Sequence, residues 1–387
     1  MKSKVSIAHC EDYEQENINK AVNECLSAIG GMKNIIKPNS KVLLKVNMIA
    51  AVPPECATTT HPAVLKAVIN EVLNANAIPL IGDSPGNVLL NIDKAYKITG
   101  YTQVAQETGA KIIKFEEDGL EKFDISHPQV KHIYISKAVL NADAIISLPK
   151  LKTHNLTYYT GAIKNMFGTL PGFNKGQMHV QAIKSADFAG VLVEIFSRVK
   201  PVLSIMDGVV GMEGPGPTAG TPRQVGLIGA SIDSFALDAV FANIIGFPPE
   251  MVNIIRIAGE KKLGVSKLED IEIIGANLVD LLIKDYKLPV ESTLLLKYVP
   301  QGFLNLLTPL IKKIVRVHPE IQKDKCKSCH VCEKNCAPNA MKWDEVNNVP
   351  LWDEKKCIYC YCCHELCPHH AIDLKHSWLA RKIFKEP

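Results

Sequence analysis

The sequence predicts an α/β domain with a mostly parallel sheet, followed by a small, cysteine-rich α+β module. Two features point to the first part. Short apolar runs such as IPLIG at 78–82, AIISL at 144–148 and LSIM at 203–206 read as buried strands, and segments of helical periodicity alternate with them as far as about residue 285. The second part follows from eight cysteines that fall in two runs of like spacing near the end.

Taken in order, 5–10 is a short strand and 14–28 a helix. KVLLKVNMIA at 41–50 is a strand and 62–74 a helix. The strand 78–82 ends in Asp83-Ser84-Pro85-Gly86, and a helix at 102–108 leads to a strand at 111–115. Strands at 144–148 and 203–206 follow, then a strand at 224–228, helices at 235–245 and 250–261, and a last strand at 271–274. In such sheets reactive loops lie beyond the carboxyl ends of the strands.

The domain boundaries expected are 1–285 for the α/β domain, 286–323 for an amphipathic linker, 324–376 for the cysteine module and 377–387 for a tail. The linker sequence LLLKYVPQGFLNLLTPLIKKIVRV is apolar but interrupted by Pro300, Gly302 and Pro309. It reads as two short helices packed on a domain; the alternative is that 293–317 lies on a membrane surface with its basic residues toward lipid. Lys284, Lys287, Lys297, Lys312, Lys313 and Arg316 cluster there, as a solvated face or a docking patch for an acidic partner.

Of 387 residues, 47% are hydrophobic, enough for a large core. Charged residues make up 22% and the net charge is +4, which indicates neither disorder nor strong nucleic-acid binding. Residues 1–9 have no signal-peptide core, and no stretch nears the ~18 apolar residues of a spanning helix. The chain therefore reads as cytoplasmic, without a transmembrane segment. In that reducing compartment twelve cysteines point to metal and not to disulfides.

The first run is Cys326-x2-Cys329-x2-Cys332-x3-Cys336; the second is Cys357-x2-Cys360-x2-Cys363-x3-Cys367-Pro368. Three closely spaced thiolates can wrap three corners of a 4Fe–4S cubane, and the fourth cysteine of each run ligates the other cluster. One cluster then takes Cys326, Cys329, Cys332 and Cys367. The second takes Cys357, Cys360, Cys363 and Cys336. The similar tails NAMKW and HAIDL suit a pseudo-twofold pair in a bacterial-ferredoxin-like module. Zinc ribbons also use CxxC pairs, but not two runs of this form. Cys362 is surplus. Cys10, Cys25 and Cys56 are scattered and read as small buried hydrophobes.

The densest chemistry of the large domain lies at 149–179, just past AIISL. Lys150, Lys152, His154, Lys164, Lys175 and His179 lie there with Asn155, Thr157 and Asn165, a set that suits a phosphate or carboxylate. Gly161, Gly168 and Gly172 allow close backbone approach. A second loop, 207–217, also follows a buried strand, and its Asp207 and Glu213 could bind a cation or a hydroxyl. Asp83 and Asp238 are similar in standing, and His61 reads first as a helix-start residue.

The run PKLKTH…TGAIKNMFG…PG, the loop DGVVGMEGPGP and the segment ASIDSFALDAV resemble the uncharacterised domain-of-unknown-function family 362. That resemblance covers most of 1–285, and its members often carry a C-terminal ferredoxin module. It implies a fold and a cluster content but no established reaction. His154, then Lys164, then His179 are also similar in order and spacing to the N-terminal domain of the lactate racemase family. There a lysine carries a nickel pincer nucleotide; that resemblance would give Lys164 the attachment and His179 the metal. The glycines differ, and the racemases lack iron–sulfur clusters.

The function expected is an oxygen-sensitive, ferredoxin-linked oxidoreductase using two 4Fe–4S clusters, with an electron donor or acceptor protein as partner. Lys150, Lys152 and Lys164 would hold a small anionic ligand, with Asn165, Asp207 and Glu213 lining the site. His154 or His179 would donate a proton, since histidine titrates near working pH. The alternative is a non-catalytic electron-transfer subunit or redox sensor docking on a partner enzyme.

Overall fold

The computed structural model describes residues 2–87, 89–289 and 317–376. They form two compact units, divided at 288/289. Most of the expected linker, including 293–316, lies outside the described residues. Its two ends belong elsewhere. Lys287 is hydrogen-bonded to Gly214 in the large unit, and Val317–Ile321 is a strand of the small one.

The large unit is built on strands β1 (Ser3–His9), β2 (Lys41–Lys45), β3 (Ile78–Gly82), β4 (Lys111–Ile113), β7 (Ala144–Ser147), β8 (Lys150–His154), β9 (Tyr158–Thr160), β10 (Leu203–Glu213), β11 (Thr221–Ser231) and β12 (Ile271–Ile274). They make one sheet in the order β12-β1-β11-β10-β7-β2-β3-β4, with β8 paired to β10 and to β9. From β10 to β4 every pairing is parallel; β11 is antiparallel to both β10 and β1. β5 (Leu120–Asp124) and β6 (His132–Ser136) form a separate antiparallel pair.

The apolar pattern explains the layering. Val42 and Leu44 pack into a core with helices Gln15–Ala28, Pro62–Asn74 and Tyr101–Thr108. The intervening Leu43 is also fully buried, so β2 is covered on both faces, as a parallel strand with flanking helices must be. The chain leaves β2 toward β3 and β4, then returns to place β7 on the other side of β2. The β2/β7 border is therefore a topological switch point, where a crevice opens beyond the strand ends.

Several elements differ from expectation. The strand from 41 stops at Lys45, because Asn47 turns away to exchange hydrogen bonds with Thr60 (2.9 and 3.1 Å). The 250–261 helix is a 3-10 turn, Pro249–Met251, followed by a helix over Asn253–Glu260. Residues 150–160 form a β8/β9 hairpin in place of a loop, buried throughout.

In the small unit, β13 (Val317–Ile321) pairs antiparallel with β16 (Ile372–His376), and β14 (Met341–Asp344) with β15 (Val349–Trp352). Each cysteine run leads into a one-turn helix, Val331–Lys334 or Cys362–Glu365.

Candidate functional site

Three strand ends meet at the switch point. Lys45 closes β2, Asp83 follows β3, and Ser147 closes β7. Lys45 is wholly buried and pairs with Asp83 (Nζ to Oδ1, 2.6 Å). It also donates to the Val46 carbonyl at 2.8 Å and to Asn165 Oδ1 at 3.3 Å. Asp83 accepts from the backbone of Met48 (2.5 Å) and Ser84 (2.7 Å). Burial works against both charges, lowering Lys45 and raising Asp83, and their attraction opposes it. A Cβ on Gly168 would overlap Asp83 Oδ1 and Lys45 Nζ, so only glycine lets the chain pass this close. Lys175, from helix Gly172–Gln181, donates to the Ser84 carbonyl, and burial brings its pKa down to about 7.

Lys164, His154 and His179 come together. Lys164 rides on the one-turn helix Ala162–Asn165, whose first amides donate to Asp238 (2.7 and 3.1 Å). Tyr159 also donates to Asp238, at 3.2 Å. Asp238 thus anchors the segment that carries Lys164, although burial pushes it up to about 7. The charge of Lys164 bears on both histidines. His154 Nδ1 accepts from the amides of Leu156 (3.1 Å) and Thr157 (3.4 Å), which leaves the ring proton on Nε2. His179 stacks on Phe188 with centroids 4.4 Å apart and meets the edge of Phe167. Its Nδ1 is buried without a hydrogen-bond partner, as is Asn155 Nδ2.

Burial and Lys164 depress both rings, His179 to about 3 and His154 well below the usual imidazole value. The expectation was that either would donate a proton near neutrality; burial and Lys164 instead favour the neutral rings, which suits hydrogen bonding better than proton transfer. A consequence is measurable. The unfolded chain protonates His179 near 6.5, and the folded chain resists until about 3, so stability falls as pH is lowered through that window. His179→Phe is expected to flatten the slope in urea titrations across it.

Lys150, Lys152 and His154 alternate along β8 onto one face. They do not share one task. Lys152 donates to the Thr58 carbonyl at 2.6 Å, and its charge reaches His154. Lys150 is taken up by Asp207 (3.0 Å) and by Tyr13 Oη (2.6 Å). Asp207 also accepts from Tyr13 Oη (2.8 Å) and the His61 amide (2.8 Å), and Tyr13 stacks on the His61 ring at 3.6 Å. Lys150 and Asp207 thus neutralise each other instead of facing a ligand. His61 does start a helix, accepting from Ala63 N at 3.2 Å. Glu213 is held by Lys287 through its amide (3.1 Å) and ammonium (3.5 Å), and Asn165 by the Lys45 carbonyl (2.9 Å) and Ser147 (3.2 Å). Of the expected lining residues these three buttress the fold. Tyr13 and Lys45 had no signal in the sequence beyond being polar groups beside apolar runs.

In the small unit Cys326, Cys329, Cys332 and Cys367 line one cavity. The thiols that bear on Cys363 are Cys360, Cys357, Cys336 and Cys332, in that order. Left-handed residues recur at equivalent places in the two runs, Ser328 with Tyr359 and His330 with Tyr361. Cys336 Sγ accepts from Ala340 N (3.1 Å), and Cys367 Sγ from Ala371 N (3.3 Å). Among the described residues no three His, Cys, Asp or Glu side chains close on a point as a single ion demands. Thiols spread around a wider space, with amides aimed at sulfur, fit a cluster better than zinc.

The profile described as "Domain of unknown function (DUF362)" matches residues 42–243, more than half of the chain. The chain belongs to the DUF362 family. Its second cysteine run lies in a 4Fe-4S binding domain matched over residues 350–373. This DUF362 protein is 34% identical over 267 residues to thylakoid-associated protein sll1697 of Synechocystis sp., covering 69% of this chain and 81% of that one. It is 38% identical over 56 residues to archaeal glutamate synthase (NADPH) of Archaeoglobus fulgidus, covering 14% of this chain and 11% of that one. A solved structure, the lactate racemase apoprotein of Thermoanaerobacterium thermosaccharolyticum, overlaps 60% of this chain and 55% of its own with a TM-score of 0.40 and 11% identity. No residue role follows from that overlap. No helix among the described residues is long and apolar enough to cross a membrane.

Proposed function

We propose that this DUF362 protein is an iron–sulfur oxidoreductase whose large unit binds a small anion beside Lys164. The observation that carries the reading is the gathering of Lys164 with two buried, neutral histidines at the carboxyl ends of the central strands. Lys164 supplies the charge for a carboxylate or phosphate. His179 Nδ1 offers an unpartnered hydrogen-bond acceptor, and His154 holds Nε2–H as a hydrogen-bond donor. Two 4Fe–4S clusters, one on Cys326, Cys329, Cys332 and Cys367 and one on Cys357, Cys360, Cys363 and Cys336, supply one-electron transfer when bound. An electron donor or acceptor protein completes the system. A reducing, cytoplasm-facing compartment suits twelve cysteines of which none is in a disulfide.

Calorimetric titration with inorganic phosphate and with oxalate tests the anion site. Lys164→Ala is expected to weaken binding by about tenfold or more, the scale of one charge-assisted hydrogen bond. Binding is also expected to weaken as pH rises through about 7, where Lys175 gives up its proton. Binding of neither anion, or binding indifferent to Lys164→Ala, would make the large unit a scaffold for a non-catalytic electron-transfer subunit.

A second reading is favoured by the bare His179 Nδ1 close to the Lys164 charge. Lys164 would carry an organic or nickel-containing cofactor, with His179 as metal ligand. Intact mass and nickel analysis of anaerobically purified protein decide it: an unmodified mass without nickel removes this reading.

A further inference from the structure

The edge of the sheet opposite the candidate site carries a second feature. β10 runs from Leu203 at this edge toward Asp207 at the other. β1 is parallel to β10, since both are antiparallel to the intervening β11. The starts of β1 and β10 and the end of β11 therefore lie side by side. A cavity of about 720 Å³ opens among them, with Lys2 and Lys4 from the start of β1, Lys200 before β10, and Lys262 after the helix Asn253–Glu260.

None of these four lysines makes an ion pair among the described residues, whereas neighbouring Lys261 pairs with Glu194 at 2.5 Å. The one carboxylate in the lining, Asp233, is used internally. It accepts from Ser3 Oγ (2.7 Å) and from the amides of Phe235 (3.0 Å), Ala236 (3.2 Å) and Val265 (3.0 Å). The cavity thus sets four lysines against a single carboxylate that is hydrogen-bonded inward, and its net charge is positive. Large aliphatic side chains stand in water at the same edge: Ile232 is 58% exposed, Leu263 41% and Val202 36%.

We propose that this edge is a membrane-docking surface for anionic lipid, with the four lysines meeting headgroups and Ile232 and Leu263 entering the interface. Charge and apolar area are the two signals that stable peripheral binding requires together, and both are present here. A small soluble anion would satisfy the lysines but leave the aliphatic residues in water. Docking by this edge turns the strand ends around Lys164 away from the bilayer, so the candidate site stays open to its ligand.

Sedimentation of the full chain with vesicles tests the proposal, using phosphatidylcholine alone and phosphatidylcholine mixed with phosphatidylglycerol. Binding is expected only to the mixed vesicles and is expected to fall with added salt. Lys4→Glu with Lys200→Glu should weaken it by at least about fivefold per lysine. Ile232→Asp, a change at an exposed position that should leave the melting temperature in place, should weaken it independently. Equal binding to both vesicle types would overturn the proposal. So would binding that survives the double charge reversal, which would move the contact to another segment such as 293–316. A protein that ignores vesicles but binds polyglutamate, and loses that binding in the double variant, would assign the edge to an acidic protein partner instead.

Discussion

Under the proposed crossed ligation of two clusters, Cys367→Ala is expected to remove the cluster assigned to the first cysteine run, not the one in its own run. Anaerobic reconstitution of the unaltered chain should give about eight irons, and the variant about four. Cys326, Cys329, Cys332 and Cys367 line one cavity, although Cys367 is adjacent in sequence to the other three-cysteine loop. A second substitution separates crossed from local ligation. If ligation crosses, Cys326→Ser added to Cys367→Ala strikes a site already lost, and iron stays at about four. If each run holds its own cluster, the pair destroys both, and iron falls toward zero. Electron paramagnetic resonance after dithionite reduction gives an independent count of the surviving centre. Cys362→Ala should leave iron unchanged, since this thiol turns toward the Cys360 carbonyl at 3.9 Å.

Asp83→Ala is expected to destabilise the large unit by about 3–5 kcal/mol, the usual result of leaving one member of a buried ion pair alone. Lys45 is 0% exposed, and its remaining contacts are the Val46 carbonyl and Asn165, neither of which carries charge. Adding Lys45→Met should recover much of the loss, because the orphaned ammonium then disappears. Urea unfolding followed by circular dichroism measures both. A loss below about 1 kcal/mol in the single variant would mean that water reaches Lys45 and that the strand ends are not sealed.

Much of the frame could be read from residue pattern. The helix Pro62–Asn74 and the strands Ile78–Gly82 and Ile271–Ile274 occur where apolar periodicity puts them. The cysteine spacing likewise announced the cluster domain. What escaped depends on partners distant in sequence. β8 and β9 look like a polar loop because their lysines and histidine are buried against groups that no local pattern reveals. Leu203–Glu213 reads as only four strand residues because glycines and acids follow Met206. Pairing with β11 carries the strand on through them. The helix Ser185–Val199 was missed although its pattern is amphipathic, with Phe188, Leu192, Ile195 and Val199 buried and Asp187, Glu194 and Arg198 left partly or fully in water. Within 149–179 the region was legible but the division of labour was not. Lys150 and Lys164 look alike in sequence, and only Asp207 and Tyr13 tell them apart.

The carboxylate of Asp207 gathers Tyr13, the amide of His61 and Lys150, groups 194, 146 and 57 positions away along the chain. Contacts of such separation close late, because the intervening loops must be ordered first. While the chain is being synthesised, Tyr13, His61 and Lys150 all emerge before the acid that fixes them. The opening strands must therefore wait, partly assembled, for the middle of the polypeptide. The small unit has the opposite economy, with all the cysteines proposed as its ligands inside one short stretch. Folding of the large unit should accordingly be the slow event in maturation, and a fragment ending before residue 207 should retain helical signal without a settled tertiary core.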